Sequence, residues 1–348
     1  MRVVLSRWVI FALIFGVFSN AHAQTSERIS GQIPGSIAEQ ISEQAGAALS
    51  VWQDCEGCPS LVRVPSGEFI MGAELAESKA LGLPDYWATR EQPLVSVTIA
   101  KPFAMGQYEV SRGEFARFAA ATGYRPAAGC WHFVGSEWLF DESRSWQDAK
   151  IGQDDSHPVT CINWHDAQAY LRWLSGRTGY HYRLASEAEW EYAVRAGRRG
   201  VFWFGDSSEN ICRWVNLGDE ATRQAFGWHQ TQIKYEVMED WKGEPCDDGY
   251  PTTAPVKETA RNPFGLHGML GNANEWVADC WHDTHQGART DGHPRLDSGD
   301  CGMRVMRGQG WTAIAASTRP AFRLKMSATD RRFTFGFRVV RDLDPMAD

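Results

Sequence analysis

The sequence predicts one irregular domain of short strands and a few helices, stapled by disulfides, behind a removable leader. Three observations point there. Sixteen tryptophans stand among 33 glycines, which suits aromatic packing between short elements joined by turns. Only three segments carry full helix start and stop signals. Eight cysteines follow the leader, an even count that reads as disulfides in an exported chain.

The leader comprises residues 1–23. Arg2 and Arg7 make a basic start, Trp8–Phe18 is apolar, and Ala21-His22-Ala23 is an A-x-A cleavage pattern. The apolar run is too short to span a bilayer, so no membrane span is expected once it is removed. The chain is thus expected in the periplasm or outside the cell. Loss of Arg2 and Arg7 takes the formal charge from −8 to −10, and an acidic exported chain is a poor nucleic-acid binder. Residues 24–53 are rich in Ser, Gln, Gly and Ala and are expected to be loosely held, with a short helix around Ile37–Leu49. No repeat, linker or composition break follows, so residues 54–344 are read as one domain.

The elements follow in order. Leu61–Met71 alternates around Pro65-Ser66-Gly67 and predicts a β-hairpin. Leu94–Ile99 and Pro102–Val110 read as strands. Ser111 caps a helix Arg112–Thr122, with Glu114 closing a capping box. Tyr124–Gln153 reads as a loop carrying Trp131, Trp138 and Trp146, and Pro158–Ile162 as a short strand. A helix beginning at Asn163 or Trp164 runs to about Thr178 and ends at Gly179. Ser186 caps the third helix, Glu187–Ala196, with Glu189 at its third position. Loops and short strands are expected thereafter.

Within that last part, Asn262–Trp281 is the stretch most expensive to hold. It carries Gly265, Gly268 and Gly271, shows no helical or strand period, and ends in Glu275-Trp276 and Asp279. Carbonyls of Leu270, Gly271 and Ala273 with the Glu275 carboxylate suit a hard cation such as calcium. The alternative is a buried aromatic loop in which Glu275 caps backbone amides.

Nearest-neighbour pairing of the cysteines gives Cys55–Cys58, Cys130–Cys161, Cys212–Cys246 and Cys280–Cys301, one of 105 possible connectivities. Cys55-Glu56-Gly57-Cys58 also has the spacing of a redox C-x-x-C. Such a motif normally opens a helix after a strand, whereas here Pro59 and a strand follow. His282-x-x-His285 near Glu275 and Asp279 is a candidate transition-metal pair, weighed against a plain surface loop. From Arg304 to Arg341 there are eight arginines and Lys325 against Asp330 alone. Arginine forks suit carboxylates, phosphates and sulfates. The candidate cleft is Arg307, Trp311, Arg319 and Arg323. Against it stands a structural reading in which Arg319, Arg323 and Arg338 pair with acids elsewhere, while Arg331 and Arg332 are solvated.

Several motifs together resemble one family. Pro65-Ser66-Gly67-Glu68-Phe69, Tyr108-Glu109-Val110-Ser111, RLASEAEWEYAVRAG (183–197), NPFGLHGMLGNANEW (262–276) and RVMRGQGW…RPAFR…FGFRVVRD (304–342) are similar to the formylglycine-generating, or sulfatase-modifying factor, family. The resemblance runs in order from about residue 59 to 342. It implies an α+β domain of the formylglycine-generating-enzyme fold, a C-type-lectin-like fold with little regular structure. It also implies two calcium sites: Leu270, Gly271, Ala273 and Glu275, and Asn216, Leu217, Asp248 and Tyr250. Calcium would be structural, with the Cys212–Cys246 bridge bracing the second site.

The family's catalytic residues do not carry over. Members that make formylglycine bind copper through two cysteines between the motifs that stand here as Arg307–Gly310 and Arg319–Arg323. The intervening WTAIAAST (311–318) has no cysteine and is shorter by about three residues, so a soft Cu(I) thiolate site cannot be built there and copper is not expected. A branch that makes sulfoxides of histidine derivatives needs an extra helical domain that the chain before residue 54 has no room for. Another exported branch, which matures the chromophore of pyoverdine-type siderophores in the periplasm, also lacks the thiolate pair. The leading expectation is an atypical periplasmic oxidative maturation enzyme for a protein or peptide-like substrate. The alternatives are a non-catalytic, calcium-stabilised peptide- or glycan-binding module, and copper-dependent cysteine oxidation.

Overall fold

The computed structural model describes residues 50–343 apart from 135–136, 227–242 and 298. The leader and the expected helix near Ile37–Leu49 lie outside the described residues. Among the described residues thirteen short strands form four sheets: β1 (Val51–Trp52), β2 (Leu61–Val64), β3 (Gly67–Met71), β4 (Val95–Ile99), β5 (Phe103–Gly106), β6 (Cys130–Val134), β7 (Glu137–Asp141), β8 (Tyr182–Arg183), β9 (Asn274–Trp281), β10 (Asp300–Arg307), β11 (Leu324–Ser327), β12 (Phe335–Gly336) and β13 (Val340–Asp342). One sheet has the order β1-β2-β5-β13-β8 and a second β11-β10-β9-β12, while β3-β4 and β6-β7 are two-stranded ribbons. The described residues are α+β, with short strands and helices interspersed.

The three capped helices stand where their signals put them. Arg112–Thr122 and Trp164–Thr178 begin at full capping boxes, Ser111 with Glu114 and Asn163 with Asp166, and end at left-handed Gly123 and Gly179. Glu187–Arg195 begins at a Ser186–Glu189 box, and the turn out of it starts one residue early, with Ala196 itself left-handed. A side-chain oxygen at each start accepts from an otherwise orphaned amide. Three shorter helices, Leu75–Ala80, Asp85–Ala88 and Glu220–Phe226, carry no complete cap signature in the sequence.

Four strand expectations need correction. β2 and β3 do not form a hairpin: β2 pairs with β1 and β5, and β3 with β4. Pro158–Ile162 is no strand and keeps a single bridge, Ser111 to Pro158. The expected loop after Tyr124 contains the β6-β7 hairpin. Most consequential, the second half of Asn262–Trp281 is β9, a central strand between β10 and β12. Its period was invisible because seven of its eight residues are buried, and a strand covered on both faces has no polar face to alternate with.

All eight cysteines pair: Cys55–Cys58, Cys130–Cys161, Cys212–Cys246 and Cys280–Cys301. The last ties β9 to the start of β10. The core lies between the sheets and the helices. Trp190, Trp276 and Trp311 are among its largest wholly buried side chains. No helix among the described residues is long and apolar enough to cross a membrane.

Candidate functional site

The loop before β9 and the loop after β10 are laced together. Gly271 donates its amide to the Gly308 carbonyl at 2.8 Å, and Trp311 donates to the Asn272 carbonyl at 3.0 Å. Left-handed Asn272 and Gln309 and the glycines Gly271 and Gly308 make these facing turns possible. Asn274 adds a side-chain bond to Gln309 at 3.2 Å. The segment leading to Trp311–Thr318 is thus fixed on the glycine-rich stretch.

The candidate cleft residues form the floor of this region rather than an open anion-accepting surface. Arg307 is 1% exposed, with Nη1 3.1 Å from Glu187 and Nη2 2.5 Å from Glu191. Arg323 grips Glu187 through two bonds of 2.6 and 2.8 Å. Arg319 reaches Glu91 at 2.6 Å. Arg338 takes both oxygens of Glu275. Arg331, expected in solvent, ends 3.1 Å from buried Asp166. Trp311 is wholly buried between Phe226 and Phe333, in one cluster with the Cys130–Cys161 bridge. The rest of 311–318 is buried too.

The buried helix Glu187–Arg195 supplies two of these acids, Glu187 and Glu191; the other two, Glu91 and Glu275, come from the turn Thr89–Glu91 and from β9. Burial pushes the Glu187 carboxyl up, but Arg323 and Arg307 outweigh it and hold the group well below its usual range. Burial likewise raises Glu191, and Arg195 and Arg307 reverse it. Asp279 has no such partner. Burial, then the Glu187 charge, raises it to about 7, and among the described residues its oxygens accept from the amides of Glu187 and Arg295.

His285 is not on a surface loop. It is 1% exposed, neither ring nitrogen has a hydrogen-bond partner among the described residues, and burial followed by the Arg323 charge lowers it to about 3. It lines a cavity of about 20 Å³ with Glu187, Asp279, His282, His293 and Arg323, enough for roughly one water. No three metal-ligating groups converge there among the described residues. A recess of about 340 Å³ lies nearby, lined by Lys101, Arg183, Asp291, His293 and Asp342.

The two calcium sets differ. In the first, a guanidinium already neutralises Glu275, and Trp190 donates to the same carboxylate at 2.7 Å, so its one acid is engaged. The second set fits a cation better. Asn216 is 5% exposed and its Oδ1 has no partner among the described residues. Asp248 lies beside it, accepting from the amides of Leu217 at 3.1 Å and Tyr250 at 2.8 Å. Burial and neighbouring Asp219 raise Asp248 to about 7. Carboxylate oxygens of Asp219, Asp247 and Asp248 lie within 4.8 Å of one another. A hard cation would satisfy the orphaned amide oxygen and offset this like-charge crowding.

Sequence reasoning missed two members of this region. Asp219 follows Asn216-Leu217-Gly218 directly and accepts from the amide of Asp248 at 2.6 Å. Glu109, inside the quoted Tyr108–Ser111 motif, is 1% exposed, and its Oε2 has no partner among the described residues. Burial raises it to about 8 against the pull of Arg338. Asn272 links Glu109 to the second set, donating to Glu109 at 3.0 Å and accepting from the Asn216 side-chain amide at 3.4 Å.

Comparison with known proteins converges on one family. The family described as "Sulfatase-modifying factor enzyme 1-like domain" matches residues 48–343. The formylglycine-generating enzyme of Bos taurus is 30% identical over 296 residues, 76% of this chain and 70% of that one. The "Inactive C-alpha-formylglycine-generating enzyme 2" of Mus musculus is 27% identical, covering 74% of this chain and 76% of its own. Among solved structures, PvdO from Pseudomonas aeruginosa superposes with a TM-score of 0.66 at 31% identity, covering 85% of this chain and 99% of that one.

Proposed function

Because the chain belongs to the sulfatase-modifying factor enzyme 1-like family, we propose that it is an exported, atypical modifying enzyme that oxidatively matures a protein or peptide-like substrate without the copper–thiolate chemistry of formylglycine formation. One observation carries the second half of this reading. Every cysteine is in a disulfide, and the buried segment 311–318 contains none. A thiolate pair for a soft metal therefore has no source there. Export is supported by the leader and by four disulfides, which persist in oxidising compartments. Calcium, held by Asn216, Leu217, Asp248 and Tyr250 with Asp219 behind them, is assigned a structural role.

A second reading is a calcium-stabilised peptide- or glycan-binding module. The observation that favours it is the engagement of Arg307, Arg319 and Arg323 in internal ion pairs, which leaves them unavailable for chemistry. The recess beside Arg183 and Asp342 would then be the binding surface.

Deleting the gene and comparing exported proteins and peptides by mass spectrometry separates the two. The enzyme reading expects an unoxidised precursor to accumulate and to be converted when purified protein is added back. Identical profiles with and without the gene overturn the enzyme reading in favour of the binding module.

A further inference from the structure

We propose that Cys55–Cys58 is a redox-active disulfide that exchanges electrons with an exposed dithiol on a partner protein. Its two sulfurs are unequal. Cys55 is half-buried at the start of an exposed turn, whereas Cys58 is 2% exposed. An accessible first sulfur backed by a buried second one is the asymmetry that directs attack to one atom.

The accessible sulfur also faces a positive charge. Arg177, from the helix Trp164–Thr178, places Nε 3.1 Å from Cys55 Sγ. Arg117, from the helix Arg112–Thr122, donates to the Gly57 carbonyl at 3.2 Å. The nearby acids do not cancel these charges. Asp54 is paired with Arg341 at 2.9 Å and accepts from Tyr182 at 2.6 Å, and Glu56 is exposed at the turn tip. A guanidinium beside sulfur favours the thiolate.

The turn keeps its shape without the sulfur–sulfur bond. Three of its four carbonyls are held from outside the turn: Glu56 by Arg177 at 3.0 Å, Gly57 by Arg117, and Cys58 by Gln53 at 2.7 Å. Cys58 also donates its amide to Cys55 at 3.1 Å. A bridge three residues long restrains the unfolded chain least, while the other three span 21 to 34 residues. Cys280–Cys301 is the nearest competitor, since Cys301 is exposed. There the arginine, Arg304, lies 3.4 Å from the buried sulfur of Cys280, and the bridge ties β9 to β10.

The step balances. A partner thiolate attacks Cys55 Sγ, the Cys55–Cys58 bond breaks, and Cys58 leaves as a thiolate that takes a proton. The partner's second thiolate then attacks its own sulfur in the mixed disulfide and releases Cys55 as a thiolate. Two electrons reach this protein, and the partner dithiol becomes a disulfide. The two protons given up by the partner thiols equal those taken at Cys58 and, above its pKa, by the medium in place of Cys55.

The test is differential alkylation of the full exported chain in graded dithiothreitol buffers, read by peptide mass spectrometry. Cys55–Cys58 should open reversibly, with unchanged circular dichroism, at a dithiol-to-disulfide ratio at least about tenfold below that needed for Cys280–Cys301. In the reduced protein Cys55 should alkylate first, with a pH midpoint below the ordinary thiol value of about 8.5. Arg177→Gln should raise that midpoint and slow exchange several-fold, and Arg177→Lys should restore part of both. Opening together with Cys280–Cys301, opening only on unfolding, or an ordinary midpoint indifferent to Arg177 overturns the proposal.

Discussion

Arg338 donates through Nε to both oxygens of Glu275, at 2.8 and 2.9 Å, and both side chains are 1% exposed. The pair joins the segment between β12 and β13 to β9 and neutralises the acid that the first calcium set needs. Arg338→Met would leave Glu275 buried and uncompensated, a loss of about 3–5 kcal/mol. The double variant Arg338→Met with Glu275→Leu should recover most of it. Urea midpoints of the singles and the double, with and without calcium, check this. Rescue of Arg338→Met by calcium would mean that the first set binds the ion after all.

Calcium at the second set should raise thermal stability. At a concentration one hundred times its Kd the gain is about 2.7 kcal/mol, and Asn216→Ala or Asp248→Asn should remove it. Protons compete for the same carboxylate. Because Asp248 is raised to about 7 in the cation-free protein, calcium affinity should fall as pH drops below about 7. Isothermal titration calorimetry at several pH values reads both effects.

Glu109 gives the opposite pH signature in the folding equilibrium. Its folded pKa of about 8 lies above the ordinary value of about 4.3. Between the two the folded state holds a proton that the unfolded state has released. Stability is therefore lost as pH rises through this window, at up to about 1.4 kcal/mol per pH unit. Asp248 and Asp279 slope the same way, so the informative quantity is a difference. Relative to the wild type, Glu109→Gln should gain stability steadily as pH is raised toward 8. Chemical denaturation across that range measures the gap.

Gly271 tests the lacing of the two turns. Its φ is +77°, and an added Cβ would lie 2.1 Å from the Asn216 carbonyl oxygen. Gly271→Ala should cost at least about 2 kcal/mol and weaken calcium binding at the second set, because the same carbonyl belongs to the loop that presents Asn216. Gly152→Ala, at a similar φ but in open space, is the control for backbone strain alone. Thermal melts with and without calcium separate the two contributions.

Much of the fold was legible wherever local chemistry decides it. Ser111, Asn163 and Ser186 announce their helices because a cap is a bond between residues three apart. β9 was not legible, since its signal is the absence of a polar face. The Leu61–Met71 hairpin failed for a related reason. Pro65-Ser66-Gly67 is a competent turn, but the sheets claim β2 and β3 separately. In the site, Asn216 and Asp248 enter as a candidate calcium set only through the family resemblance, and Asp219 and Glu109 become visible only when the fold strips them of solvent. His285 is the clearest such case. Its spacing from His282 suggests a metal pair, but the fold buries it beside Glu187 and Arg323 with no third ligating group converging on it among the described residues.

The chain keeps the family's fold, and we propose that it does so without the family's copper–thiolate chemistry. The most direct measurement incubates the purified mature protein with a C-x-P-x-R peptide, copper and oxygen, and reads the peptide cysteine by mass spectrometry. The account predicts a cysteine left unconverted at every copper concentration. Copper-dependent conversion to formylglycine, abolished by chelation, would contradict it.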